Sequence, residues 1–210
     1  MANRGKIELI CGPMFSGKST ELIRLVDRLT IAGEHCVIFK PRIDDRYVPS
    51  KVCTHSKIER ECVVIEKSSE ILEYLSKNRE ISVVAVDEAQ FFDDQITNIL
   101  EQLSNAGYDI LIAGLDKDFR GEPFGPMREL VCLAEYVYKL TAVCNVCGEE
   151  ATYTQRIIGG VPADYNSEII VVGERDTYQA RCRNHHEVPS KPGISEGPAR
   201  QYYRKFNNRK

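Results

Sequence analysis

Residues 12–19 read Gly12-Pro13-Met14-Phe15-Ser16-Gly17-Lys18-Ser19, a complete G-x-x-x-x-G-K-[ST] motif. The glycines let consecutive backbone N–H groups turn toward an anion, and a helix opening at the end of the loop adds partial positive charge there. Lys18 can reach the outer phosphates of a nucleoside triphosphate, and the Ser19 hydroxyl can ligate Mg²⁺. A second constellation is Asp87-Glu88, at the end of the apolar run S-V-V-A-V (82–86). An acid at the carboxyl end of a strand suits a Mg²⁺-directed carboxylate, and Asp87 is expected on a strand beside the phosphate-loop strand. Glu88, one residue on, can accept a proton from an attacking hydroxyl or water. A third is Cys144-Asn145-Val146-Cys147 with Cys182-Arg183-Asn184-His185, a C-x-x-C and a C-x-x-H flanking the loop 148–181. Three thiolates and one imidazole close a tetrahedral zinc site with no open position, hence a structural one. His186 is an adjacent candidate ligand, and the x₂ spacing prefers His185.

Each motif also has a plainer reading: a glycine-rich turn, a charged turn after a strand, or a redox C-x-x-C. D-E-A-Q (87–90) also matches a helicase signature, although helicases of that kind use two motor domains and this chain has the length of one.

The elements that must position these residues follow from periodicity. Strands are expected at 6–11, 35–40 (ended by Pro41), 61–66, 81–86, 108–113 and 135–140. Helices are expected at 19–32, from caps at Ser68 and Ser69 to about 77, and at 93–106. Strands alternating with helices predict an α/β fold, a P-loop (RecA-like) mostly parallel sheet flanked by helices. Beyond about 141 the pattern changes to cysteines, glycines and short β pieces, with 169–172 strand-like. This divides the chain into a nucleotide-binding domain (1–140), a small zinc-binding lasso domain (141–187) and a basic, disordered tail (188–210).

Composition excludes several classes. The chain has 210 residues, 42% hydrophobic and 28% charged, with net charge −3. No basic excess argues for a nucleic-acid partner. No apolar run approaches the roughly 20 residues of a membrane span. No leader-like segment opens the sequence, so a cytoplasmic location with reduced thiols is expected. The singly placed Cys11, Cys36, Cys53, Cys62 and Cys132 then read as buried, inert thiols.

Taken together, G-P-M-F-S-G-K-S-T (12–20), I-D-D-R-Y (43–47), V-D-E-A-Q-F-F (86–92), G-L-D-K-D-F-R-G-E-P-F-G (114–125), L-T-A-V-C-N-V-C (140–147) and C-R-N-H (182–185) resemble the zinc-containing type II thymidine kinases. The resemblance runs from about residue 6 to residue 185. It implies transfer of the ATP γ-phosphoryl group to the thymidine 5′-hydroxyl, with Mg²⁺ and a structural Zn²⁺. It further implies a homotetramer and feedback by thymidine triphosphate. Glu88 then corresponds to the general base and Asp87 to the acid that holds Mg²⁺ with Ser19. Asp44 and Arg46 lie near the phosphates, although the second acid, Asp45, leaves open which carboxylate faces them. Gln90 is placed with the phosphate-binding residues. Met14, Phe91, Leu115, Phe119 and Phe124 correspond to the walls of the nucleoside pocket. Tyr178 corresponds to a tyrosine beside the nucleoside. Ile169, Val171, Val172 and Gly173 belong to the lasso backbone that reads thymine.

Overall fold

A computed structural model describes residues 4–42, 51–53, 59–170 and 177–192, with only the backbone described at 51–53 and 59. The expected sites Asp44, Arg46, Val171, Val172 and Gly173, and the tail beyond 192, lie outside the described residues.

In chain order the elements are β1 (Ile7–Cys11), α1 (Lys18–Ile31), β2 (Cys36–Pro41), β3 (Lys51–Cys53), β4 (Glu59–Glu61), β5 (Val63–Ile65), α2 (Glu70–Lys77), β6 (Val83–Val86), α3 (Gln95–Asn105), β7 (Asp109–Gly114), α4 (Met127–Leu133) and β8 (Tyr136–Lys139). After these come β9 (Ala142–Val143), β10 (Glu150–Ala151), β11 (Tyr153–Ile158), β12 (Val161–Pro162) and β13 (Thr177–Arg181). The central sheet has the order β5-β2-β6-β7-β1-β8, and every pairing in it is parallel. A parallel sheet is covered on both faces, which is why I-E-L-I-C and V-V-A-V are buried along their whole length.

Alternate residues of these strands feed two cores. Leu9, Val84, Val86, Ile110 and Ile112 face α2 and α3, through Ile71, Leu75, Ile96, Leu100 and Leu103. Ile10, Val83, Ala85, Leu111 and Ala113 face α1, through Leu22, Ile23 and Val26. Because all six strands run the same way, the carboxyl ends of β1, β6 and β7 meet at one edge. The phosphate loop, Asp87-Glu88 and the segment 114–125 therefore share that edge. The small sheets follow: β9 with β10, and β11 between β12 and β13.

Several expectations need correction. β6 does not neighbour β1; β7 lies between them. The expected strand 61–66 breaks at Cys62, and its first residue belongs to a short antiparallel hairpin, β3–β4. Pro41 is the last residue of β2 rather than a stop before it. The helix α4 has no counterpart among the elements expected from periodicity. Ile169 and Ile170 lie in no strand. Ser69 occupies the N-cap of α2 without a side-chain cap bond. Instead Glu70 reaches back to accept the N–H groups of Glu66 and Lys67, while Ser68 bonds Asp93. Of the single cysteines, Cys11 is buried, Cys36 and Cys62 are half-buried, and Cys132 is exposed. The Cys53 side chain lies outside the described residues.

Candidate active site

β1 ends at Cys11, and the chain turns at once. Gly12 has φ 147°, and a Cβ there would fall 2.4 Å from the carbonyl oxygen of Leu140. Gly17, at φ 83°, lets the loop close onto the first turn of α1. Phe15 also takes a left-handed conformation, with φ 67°. The carbonyl of Pro13 accepts the Ser16 hydroxyl at 2.8 Å and the Lys18 ammonium at 2.7 Å. Burial pushes the Lys18 ammonium below the usual lysine range, and the carboxylates of Glu88, Asp87 and Asp116 oppose this. A half-buried cation that is held, among the described residues, by a single loop carbonyl is well matched to phosphate oxygens arriving at the same place.

The Ser19 hydroxyl lies 3.1 and 3.2 Å from the two carboxylate oxygens of Asp87. Asp87 is buried. Its carboxyl is raised to about 6, first by burial and then by the Glu88 carboxylate, against Lys40, the Glu88 amide and Ser19. A hydroxyl and a carboxylate converging beside a triphosphate loop are hard oxygen donors of the kind Mg²⁺ takes, so the residues present fit that ion.

Glu88 has φ 54° and ψ 42°. For a glutamate this left-handed backbone is uncommon, and such residues cluster where a side chain must be aimed. A single 3₁₀ turn, Ala89–Phe91, follows. Inside it Gln90 is buried, donating to Glu88 Oε2 at 2.6 Å and accepting the Leu115 N–H at 2.9 Å. Both ends of the amide are thus engaged by Glu88 and Leu115. Gln90, which the resemblance placed with the phosphate-binding residues, has its amide hydrogen-bonded to Glu88 and Leu115.

The aromatic residues divide. Phe91 and Phe124, both half-buried, meet edge to face with ring centroids 5.2 Å apart. The Leu115 N–H is bonded to the side chain of Gln90, the residue before Phe91. Phe119 is only 4% exposed and lies under the guanidiniums of Arg120 and Arg156, at 5.4 and 5.5 Å from its ring centre, which leaves little of it for a ligand. Tyr178 is half-buried on β13, paired across the strand with Arg156.

Cys144, Cys147, Cys182 and His185 converge, with their ligand atoms all within 4.8 Å of one another. Cys147 Sγ and Cys182 Sγ are 3.8 Å apart. That is too far for a disulfide and close to the ~3.8 Å edge of a tetrahedron with Zn–S bonds of about 2.3 Å. Burial pushes the Cys144 thiol up, but the amides of Cys182, Val146 and Cys147 outweigh it and hold the group at about 5. A low thiol pKa favours the thiolate that zinc binds. His186 is excluded from the cluster: its Nε2 pairs with the Phe119 carbonyl oxygen at 2.8 Å, and its ring stacks on Tyr153 at 4.5 Å.

The model of the thymidine kinase family matches residues 5–186. The chain belongs to the thymidine kinase family. It is therefore a kinase. Among solved structures it is similar to domain III of the Thermotoga maritima replication initiation protein DnaA (TM-score 0.38, 14% identity, 66% of this chain and 55% of that one). It is also similar to the Pif1 helicase of Candida albicans (TM-score 0.42, 15% identity, 65% and 36%). The chain thus spans about half of the first and a third of the second, and neither likeness bears on activity.

Three features of this family member escape a sequence reading. The Met14 amide donates to the Thr154 hydroxyl at 2.9 Å, tying the phosphate loop to β11. Lys117 donates to the Thr152 carbonyl and sits 4.1 Å over the Tyr153 ring. Asp116, at the foot of the 114–125 segment, pairs with Lys139 at 2.8 Å. Each joins residues far apart in sequence, so no local spacing signals it. No helix among the described residues is long and apolar enough to cross a membrane.

Proposed function

We propose that the kinase transfers the γ-phosphoryl group of ATP to the 5′-hydroxyl of thymidine, as a zinc-containing type II enzyme of pyrimidine deoxynucleoside salvage. The observation that carries this is the meeting of the phosphate loop, Asp87 and Glu88 at one sheet edge in a member of this family.

The amides of residues 12–19 and Lys18 cradle the triphosphate. Ser19 and Asp87 would hold Mg²⁺, which supplies charge neutralisation on the phosphate oxygens. Glu88 accepts the 5′-hydroxyl proton as that oxygen forms its bond to the γ-phosphorus. The bond from phosphorus to the β–γ bridging oxygen breaks, and ADP leaves with the electron pair. Asp44 and Arg46 complete the phosphate contacts in this reading.

Met14, Phe91, Leu115, Phe124 and Tyr178 form the apolar walls of the base pocket, with Phe119 supporting them from behind. The backbone around Ile169, Val171, Val172 and Gly173 reads the pyrimidine edge. Cys144, Cys147, Cys182 and His185 would hold a structural zinc that would tie the two ends of this lasso together, and the lasso itself shields the site from water, the competing nucleophile. A pocket wall fitted to the 5-methyl group discriminates against uracil by about 1–3 kcal/mol, so deoxyuridine is a poorer substrate rather than an excluded one. The family relationship supports the homotetramer and the feedback by thymidine triphosphate, which would occupy both half-sites at once.

The reading is tested by Glu88→Gln. We expect kcat to fall about 10²–10⁴-fold with thymidine affinity kept. A near-normal kcat contradicts the assignment.

A further inference from the structure

We propose that Gln90 is a positioning residue that fixes the Glu88 carboxylate for proton transfer; this rests on the reading of Glu88 as the base. The amide orientation follows from the chain itself. The Leu115 N–H is a donor, so the atom 2.9 Å from it must be the Gln90 oxygen. The Gln90 nitrogen therefore faces Glu88 and donates to Oε2 at 2.6 Å. One carboxylate oxygen is held, and Oε1 makes no hydrogen bond among the described residues.

The surroundings leave the amide no other place. Gln90 is 2% exposed. A Cβ at Gly114 would lie 2.9 Å from the Gln90 amide oxygen and 2.8 Å from Met127 Sδ. A Cβ at Gly125 would lie 2.1 Å from the Gln90 backbone oxygen. Two glycines of the 114–125 segment thus open the space that Gln90 fills. Leu115 sits in that segment as well, so its backbone sets the angle of Glu88 through one amide. A general base must stand within about 2.6–3.2 Å of the proton it takes, and Glu88 has rotatable bonds that nothing else in the described structure restrains by a side-chain hydrogen bond.

The experiment is a double-mutant cycle on the full chain, with active sites counted by ATP binding. Gln90→Met is expected to lower kcat about 10–100-fold, the scale of a misplaced catalytic group, with KM for ATP and thymidine within about threefold. In a Glu88→Gln background the same change is expected to alter kcat by less than about twofold, because residues acting as a unit are not additive. Equal factors in both backgrounds, or an unchanged kcat in Gln90→Met alone, overturn the proposal. If Gln90→Met does not fold, Gln90→Glu takes its place. It keeps the acceptor for Leu115, cannot donate to Glu88 when ionised, and is expected to show the same non-additivity. A Glu88→Gln enzyme with near-normal kcat defeats the base reading itself, whatever Gln90 does.

Discussion

Ser19 Oγ stands 3.1 Å from Asp87 Oδ2, although Ser19 lies in the first turn of α1, after β1, and Asp87 follows β6, and these two strands are not neighbours in the sheet. The contact is made at the carboxyl edge of the sheet, in which β7 lies between β1 and β6. If the pair holds Mg²⁺, each member is needed for the ion. Ser19→Ala is expected to cost about 10–100-fold in Mg²⁺ affinity or kcat, the usual scale for a metal-site partner. A Mg²⁺ titration of activity checks this. An unchanged Mg²⁺ requirement removes Ser19 from the metal site.

The sulfur–nitrogen cluster predicts one zinc per chain. Cys147→Ser, or exhaustive chelation, is expected to release it and to expose β11–β13 to hydrogen exchange. The central sheet, which has its own two cores, should stay protected. Metal analysis paired with exchange mass spectrometry reads both effects. Full activity in zinc-free protein contradicts a structural role.

The phosphate loop and the cysteine knuckles are contiguous in the chain, so spacing alone reveals their chemistry. The parallel sheet shows in runs such as V-V-A-V, whose unbroken apolar character admits no solvent face. What the amino-acid sequence hides is what depends on contacts between distant segments. Whether β6 sits next to β1 or one strand away changes no residue in either strand. Helix α4 is seven residues long and offers too few turns for a period. Ser68 resembles a cap, but Asp93 lies close enough in space to take its hydroxyl. Gln90 is placed with the phosphate residues by the resemblance alone, and only the fold shows the Leu115 N–H bonded to its oxygen.

Thr154 fastens the loop from the other side. It is buried, and its hydroxyl accepts the Met14 N–H across 140 positions of sequence. Thr154→Val keeps the shape but strands that donor, at a cost of about 1–3 kcal/mol. For a chain of this size the Tm should fall by roughly 2–12 °C. Thr154→Ser restores the acceptor and should recover most of the loss. Equal Tm in the valine variant and the parent would show that the bond contributes nothing.

Gly12 tests the loop backbone. Any Cβ there meets the Leu140 carbonyl at 2.4 Å, in a segment held by the Leu140 N–H to Cys11 carbonyl bond at 2.8 Å. Gly12→Ala is expected to displace the loop and weaken ATP binding by about 10-fold or more, the cost of a phosphate cradle moved by about an ångström. Isothermal titration with a non-hydrolysable ATP analogue measures it, and parent-like affinity would mean that the loop tolerates the shift.

The choice of acceptor is tested most directly by label transfer from γ-³²P-ATP. The protein is offered thymidine, deoxyuridine, deoxycytidine, deoxyadenosine and no nucleoside, with and without single-stranded DNA. A thymidine kinase built as described gives labelled thymidine monophosphate as the main product, less from deoxyuridine, and little phosphate release without a nucleoside. Phosphate release that DNA stimulates, with no label reaching thymidine, would contradict it and point to a motor ATPase built on the same loop.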